Sequence, residues 1–243
     1  MAYDLTTLDA PFAALKAFDW GADAAAFQPI DAAAIAAHAD ADLRAALESH
    51  FALLLADDSS RAAKEYVCRK LAMIGTAASV PGLAALLPNP THSHMARFAL
   101  ERIDDPAAGD ALREALPKVD RTLKIGMISS LASRKDQASV PLFAALLIGD
   151  AAVAAAAAEG LGTIATAQAA AALASRDGTG PVADALTDAR LACAEALLAG
   201  GDPAAAKAIY VAIEKSVGQD PKSHRGRAVR IAATRGLLAS SRK

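Results

Sequence analysis

The segment Ala78–Leu87 (Ala-Ser-Val-Pro-Gly-Leu-Ala-Ala-Leu-Leu) returns sixty residues later as Ala138–Leu147 (Ala-Ser-Val-Pro-Leu-Phe-Ala-Ala-Leu-Leu), with eight of ten positions identical. A period of a few tens of residues marks a repeat architecture, in which one unit cannot bury its apolar face and its neighbours supply the cover. The composition says what the units are made of. Alanine is about a quarter of the chain and aromatics only 4%. Alanine is the strongest helix former, and a chain poor in β-branched and aromatic residues has little to build strands from. The expected fold is therefore all-α, in thin layers.

From Asp58 onward two kinds of helix alternate. One follows a polar cap, as at Ser59-Ser60 before Arg61, Asp120 before Arg121 and Asp150 before Ala151. The other opens at proline, at Pro81, Pro106, Pro141 and Pro203. Proline at the first helical position presets φ and gives up an amide that has no intrahelical partner. Short connections such as Asp104-Asp105 make consecutive helices antiparallel neighbours. Leu71, Leu100, Leu131, Leu161, Leu197 and Leu237 recur in one slot of the first helices; Val80, Gly109, Val140, Ala167 and Ala206 align the second helices. The last interval is lengthened by Asp177-Gly-Thr-Gly-Pro181, a loop by its turn residues.

Residues 1–60 differ in charge: ten acids against Lys16 and Arg44 give −8, while the remainder carries +6. Phe12, Leu15 and Phe18 fall on one helical face, Pro29 opens a second helix, and Leu43, Leu47 and Leu54 mark a third. Residues 1–57 thus form an expected acidic helical cap, with Trp20 in its core, over a repeat array at 58–243.

Three features carry a resemblance: Ala157-x-x-x-Leu-Gly-x-Ile164, the Leu71-Ala-Met-Ile-Gly75 ending, and the twice-seen Val-Pro-x-x-Ala-Ala-Leu-Leu. With them, residues 58–240 resemble HEAT repeats of the short, alanine-rich PBS-lyase HEAT-like type. The resemblance implies a right-handed α-solenoid (an α-α superhelix) of about five helix pairs, with the first helices lining the concave side. On that implication Lys64, Arg69, Arg97, Lys124, Ser129, Glu159, Arg190, Glu195 and Arg230 would face a partner. Basic residues toward the N-terminal side and acidic ones in the last pairs suit a protein partner better than duplex DNA. The expected function is a non-catalytic, protein-binding scaffold with no enzymatic activity. The alternatives are a bilin lyase-like enzyme, which the resemblance also implies, and nucleic-acid binding through the basic last helix.

Other motifs carry less chemistry. Gly160-Leu-Gly-Thr-Ile-Ala165 has the letters of a dinucleotide fingerprint but follows a helical run, where that mechanism needs a strand and a turn. His92-x-His94 offers two metal ligands where a tight site takes three or four, and Cys68 and Cys193 lack Cys-x-x-Cys spacing. No cofactor, metal or catalytic residue is assigned. The last 22 residues carry Lys222, Arg225, Arg227, Arg230, Arg235, Arg242 and Lys243 with no acid, yet no stacking aromatic accompanies them, which argues against nucleic acid. The chain opens without a basic stretch followed by an apolar run, and no segment is apolar enough for a membrane span. The expected location is the cytoplasm.

Overall fold

The computed structural model describes residues 5–174, 176–217 and 224–241. Within these every regular element is helical: α1 (Asp9–Lys16), α2 (Gln28–Ala36), α3 (Ala41–Ala56), α4 (Arg61–Ile74), α5 (Val80–Leu86), α6 (Ser93–Leu100), α7 (Pro106–Ala115), α8 (Arg121–Ser133), α9 (Val140–Leu146), α10 (Ala151–Ile164), α11 (Ala167–Ala174), α12 (Gly180–Ala199), α13 (Pro203–Val217) and α14 (His224–Ser240). They form two compact units, Met1–Ser130 and Leu131–Lys243.

Helices start where the sequence places caps. The side chains of Asp40, Ser60, Asp105, Asp120, Asp150 and Asp202 each accept from a backbone N–H in the first turn that follows. Each bond satisfies one of the four amides that a helix start leaves without a partner. The prolines sit at the first or second position of α5, α7, α9 and α13, as expected.

Each unit is built on the α-solenoid plan, first helix on first helix and second on second. In the first unit α4 packs on α6 and α5 on α7, while α3 covers α4 and α5. In the second, α10 packs on α12, α12 on α14 and α9 on α11. The first-helix leucines Leu71, Leu100, Leu131 and Leu161 are all buried, and Leu197 and Leu237 pack against the core of α12–α14. The second helices need one correction. Ala167 is exposed and Ala170 is buried in its place. With Ala170 the second-helix spacings become 29, 31, 30 and 36 residues, matching those of the leucines.

Small residues set how closely helices approach. A Cβ on Gly162 would lie 2.6 Å from Ala189 Cα, and one on Gly236 would run into the Tyr210 ring. Gly162 therefore sits on the seam along which α10 meets α12.

In the first unit α1 packs on α3 through Phe12 and Phe51, and Phe27 meets Tyr66 edge to face at 4.9 Å. Asp31 ties α2 to α4 by accepting from Tyr66 Oη at 2.5 Å and Lys70 Nζ at 2.6 Å. Glu48 of α3, only 6% exposed, accepts from Thr76 N, Thr76 Oγ1 and Ser79 Oγ, closing the turn between α4 and α5. Two expectations fail here. Trp20 is 66% exposed, and Phe18 lies beyond the end of α1, half-buried against Phe27. Gly21 at φ +86° turns the chain just after both residues, so helical periodicity could not be carried through them.

Gly162→Val must push α12 away and should cost about 1–3 kcal/mol in denaturant unfolding. Gly82→Ala, whose new Cβ meets Leu55 at an ordinary 3.4 Å, should be neutral or stabilising. Burial pushes the Asp31 carboxyl up, but hydrogen bonds from Lys70 and Tyr66 outweigh it and hold it below 3.8. Burial likewise pushes Asp57 up, and bonds from Ser59 and Lys16 bring it down to about 2. A lowered folded value gives stability that is complete above the unfolded value and lost as pH falls through the folded one. The first unit should therefore lose stability between about pH 4 and pH 2, and Asp31→Asn should flatten that dependence in thermal melts.

Candidate functional site

Helix α11 has eight residues, so its last carbonyls have few partners within the helix. Arg190 of α12 supplies them. Its Nε and Nη2 both donate to Leu173 O, at 3.2 and 2.8 Å, and Nη2 also donates to Arg176 O. The half-buried guanidinium has its pKa pushed down by burial and partly restored by the charge of Asp177. After α11 the chain runs through Asp177-Gly178-Thr179 into α12. A side chain on Gly178 would meet Val182 and the Ala183 amide, so the loop hugs the start of that helix.

Arg190 and Asp177 line a cleft of about 320 Å³ between α11, α12 and α13. Ala170, Ala208, Ile209 and Ala212 make its apolar wall, and Ser216 adds a hydroxyl. A second cavity of about 230 Å³ shares Asp177, Arg190 and Ser216 and adds Thr187. The three polar residues thus form the boundary between two small spaces. Apolar walls with a few convergent polar groups are the usual make-up of a small-ligand site.

The nine residues expected to face a partner differ in exposure and in what they bond. Arg69, Ser129, Glu159, Glu195 and Arg230 are exposed, while Lys64, Arg97, Lys124 and Arg190 are half-buried. Three of those cations are occupied by the protein's own backbone. Lys64 Nζ donates to Leu55 O and Asp57 O at the end of α3. Arg97 lies across Gly126, donating to Gly126 O at 2.8 Å and Ser130 Oγ at 3.0 Å; Ser130 in turn donates to Glu101. Arg190 faces the second helices α11 and α13. Glu159 instead shares a shallow hollow of about 250 Å³ with Asp188, over the Gly162–Ala189 seam.

Asp177 and Ser216 are the site residues that sequence reasoning missed. The lengthened interval at 177–181 is the sequence signal for them, a loop by its turn residues. The basic last helix is also less free than its composition suggests. Arg225 Nε donates to Asp184 Oδ1 at 2.6 Å, and Nη2 donates to Asp188 Oδ2 at 2.9 Å. Lys222, Arg242 and Lys243 lie outside the described residues.

No group of three or more His, Cys, Asp or Glu side chains converges among the described residues. His92 is half-buried beside α6 and His94 is exposed. No helix among the described residues is long and apolar enough to cross a membrane.

No family model matches the chain, and no curated protein matches it. Among solved structures it is similar to human deoxyhypusine hydroxylase in complex with glycerol, at 17% identity and a TM-score of 0.37, over 98% of this chain and 97% of that one. The stacked helix pairs are HEAT-like at this coarse level. The match is to an enzyme, and it corrects the expectation of a non-catalytic, protein-binding scaffold without enzymatic activity. That expectation took the architecture as its ground, and stacked helix pairs can carry a reaction as well as a docking face, because function resides in the side chains set on a fold.

Burial pushes both thiols up, Cys68 to about 12 and Cys193 to about 11. Thiolate is the reactive form. Neither cysteine should react with a thiol reagent at neutral pH until the protein is unfolded, and a colorimetric thiol count in native and denaturing buffer will check this.

Proposed function

We propose that the chain is an enzyme of the HEAT-like lyase type, binding an amphipathic, carboxylate-bearing small molecule in the α11–α12–α13 cleft. The bilin lyases implied by the sequence resemblance are the nearest functional analogy, and a linear tetrapyrrole is the ligand of choice. One observation carries the reading: Arg190, Asp177 and Ser216 converge on an otherwise apolar cleft. The bonds of Arg190 among the described residues use Nε and Nη2, so Nη1 is the donor available to a ligand carboxylate. A charge-assisted bond of that kind is strong where water is largely excluded. Asp177 would accept from a pyrrole N–H, and Ile209 and the alanines would cover the ring system. The main cleft is at the small end of ligand-site sizes, so a tetrapyrrole would extend past Arg190 into the adjoining cavity.

The buried thiols argue for non-covalent holding. A thioether to this chain would need a thiolate at Cys68 or Cys193, and burial disfavours both. Transfer would then go to a thiol of the protein partner expected from the sequence.

Absorbance titration of the protein with biliverdin tests the reading. A saturable shift of the long-wavelength band is expected, with affinity about tenfold or more weaker in Arg190→Gln, the loss of one charge-assisted bond. Asp177→Asn, at an exposed loop position, should weaken binding without changing the far-UV circular dichroism. An unshifted spectrum with the wild-type protein would refute the proposal.

A further inference from the structure

Each unit has a terminal layer, the cap helices of the first and α14 of the second, with a side that no further repeat of that unit covers. Such ends ordinarily carry polar residues, because an apolar end recruits another layer. Here they carry large apolar side chains. Trp20, Ile35 and Leu53 lie on the N-terminal cap elements, and Ile231 and Leu238 lie on α14; together they are five of the seven large hydrophobic residues most exposed among the described residues.

Helix α14 shows how this arises. Val229, Ala233, Gly236 and Ser240 are its buried face, seated on α13 through Tyr210. Arg227 and, seven residues apart, Ile231 and Leu238 share the opposite, open face, while Thr234 between them donates to Glu214 Oε1 of α13 at 2.7 Å. Ile231 is 53% and Leu238 59% exposed. That spacing is the seam pattern of a helix that expects a partner helix.

Charge then selects the partner. The described part of α14 and the residue after it, 224–241, carry Arg225, Arg227, Arg230 and Arg235 with no acid. Arg225 is neutralised by Asp184 and Asp188, while Arg227 and Arg235 stand exposed beside the apolar seam. The cap carries −8 over residues 1–60, and Asp19, Asp23, Asp42 and Asp58 are exposed there. Pairing α14 with α14, or cap with cap, sets like charges against each other, whereas α14 against the cap pairs opposite ones.

We propose that α14 of one copy docks on the acidic N-terminal cap of a second copy, so that the chain self-associates head to tail. The contact is heterologous: it joins two different surfaces and leaves one of each free on the pair. Copies can therefore add in series. Because opposite exposed charges contribute, salt should weaken it.

Sedimentation velocity over a concentration series tests this. The wild type should show growing species at low ionic strength, shifting toward monomer at high salt. Ile231→Asp/Leu238→Asp should be monomeric, and so should Trp20→Ala/Leu53→Asp; all four positions are exposed, and circular dichroism confirms that each variant is folded. Mixing the two variants is the decisive step. Each keeps one intact end, so the mixture should form a dimer with one copy of each and stop there. A wild-type protein that stays monomeric at every concentration, a cap variant that still dimerises alone through α14, or a mixture that stays monomeric would each overturn the proposal.

Discussion

Helices of seven and eight residues leave at least half of their backbone groups without an intrahelical partner, and this fact shapes much of the protein. Helices α5, α9 and α11 are of this length. Helix ends and the turns beside them, at α5, α11 and also the longer α3, are closed from outside by side chains of other helices. Glu48 of α3 closes the turn into α5, Lys64 of α4 closes the end of α3, and Arg190 of α12 closes the end of α11. A buried backbone group left unmade costs about as much as a lost hydrogen bond. The long side chains on neighbouring helices therefore serve the fold first, and only their remaining donors are available for function.

Small residues supply the complementary constraint. Where Gly162 meets Ala189, and where Gly126 takes the Arg97 guanidinium, helices approach until backbone or a flat cation fills the space. An alanine-rich layer removes little apolar area per residue, so close approach and many dispersion contacts must stand in for large side chains. The same thinness leaves room for a cleft: between α11 and α13 the facing residues are mostly alanines, and the space they leave is bounded by Arg190 and Asp177.

The candidate site was legible only in part. Arg190 is legible only as one of the charges of a first helix, and the HEAT resemblance turns it toward the open side with the others. Its direction depends on the carbonyls it reaches, and those belong to a different helix. Asp177 and Ser216 lie 39 residues apart and share no pattern with Arg190. Glu48 was visible merely as one of ten acids in the N-terminal stretch. Its burial comes from Thr76 and Ser79 at a turn 28 and 31 residues away.

Local information was enough for the repeating helices, their caps and their buried leucines, because propensity, proline geometry and the 3.6-residue period act within a few residues. Where those signals thin, as across Phe18-Asp19-Trp20-Gly21 and at Ala167–Ala170, packing alone sets the register. Tertiary structure alone decided which cations are consumed by backbone carbonyls and which polar groups meet at a cleft, since both depend on distances between residues far apart in the chain.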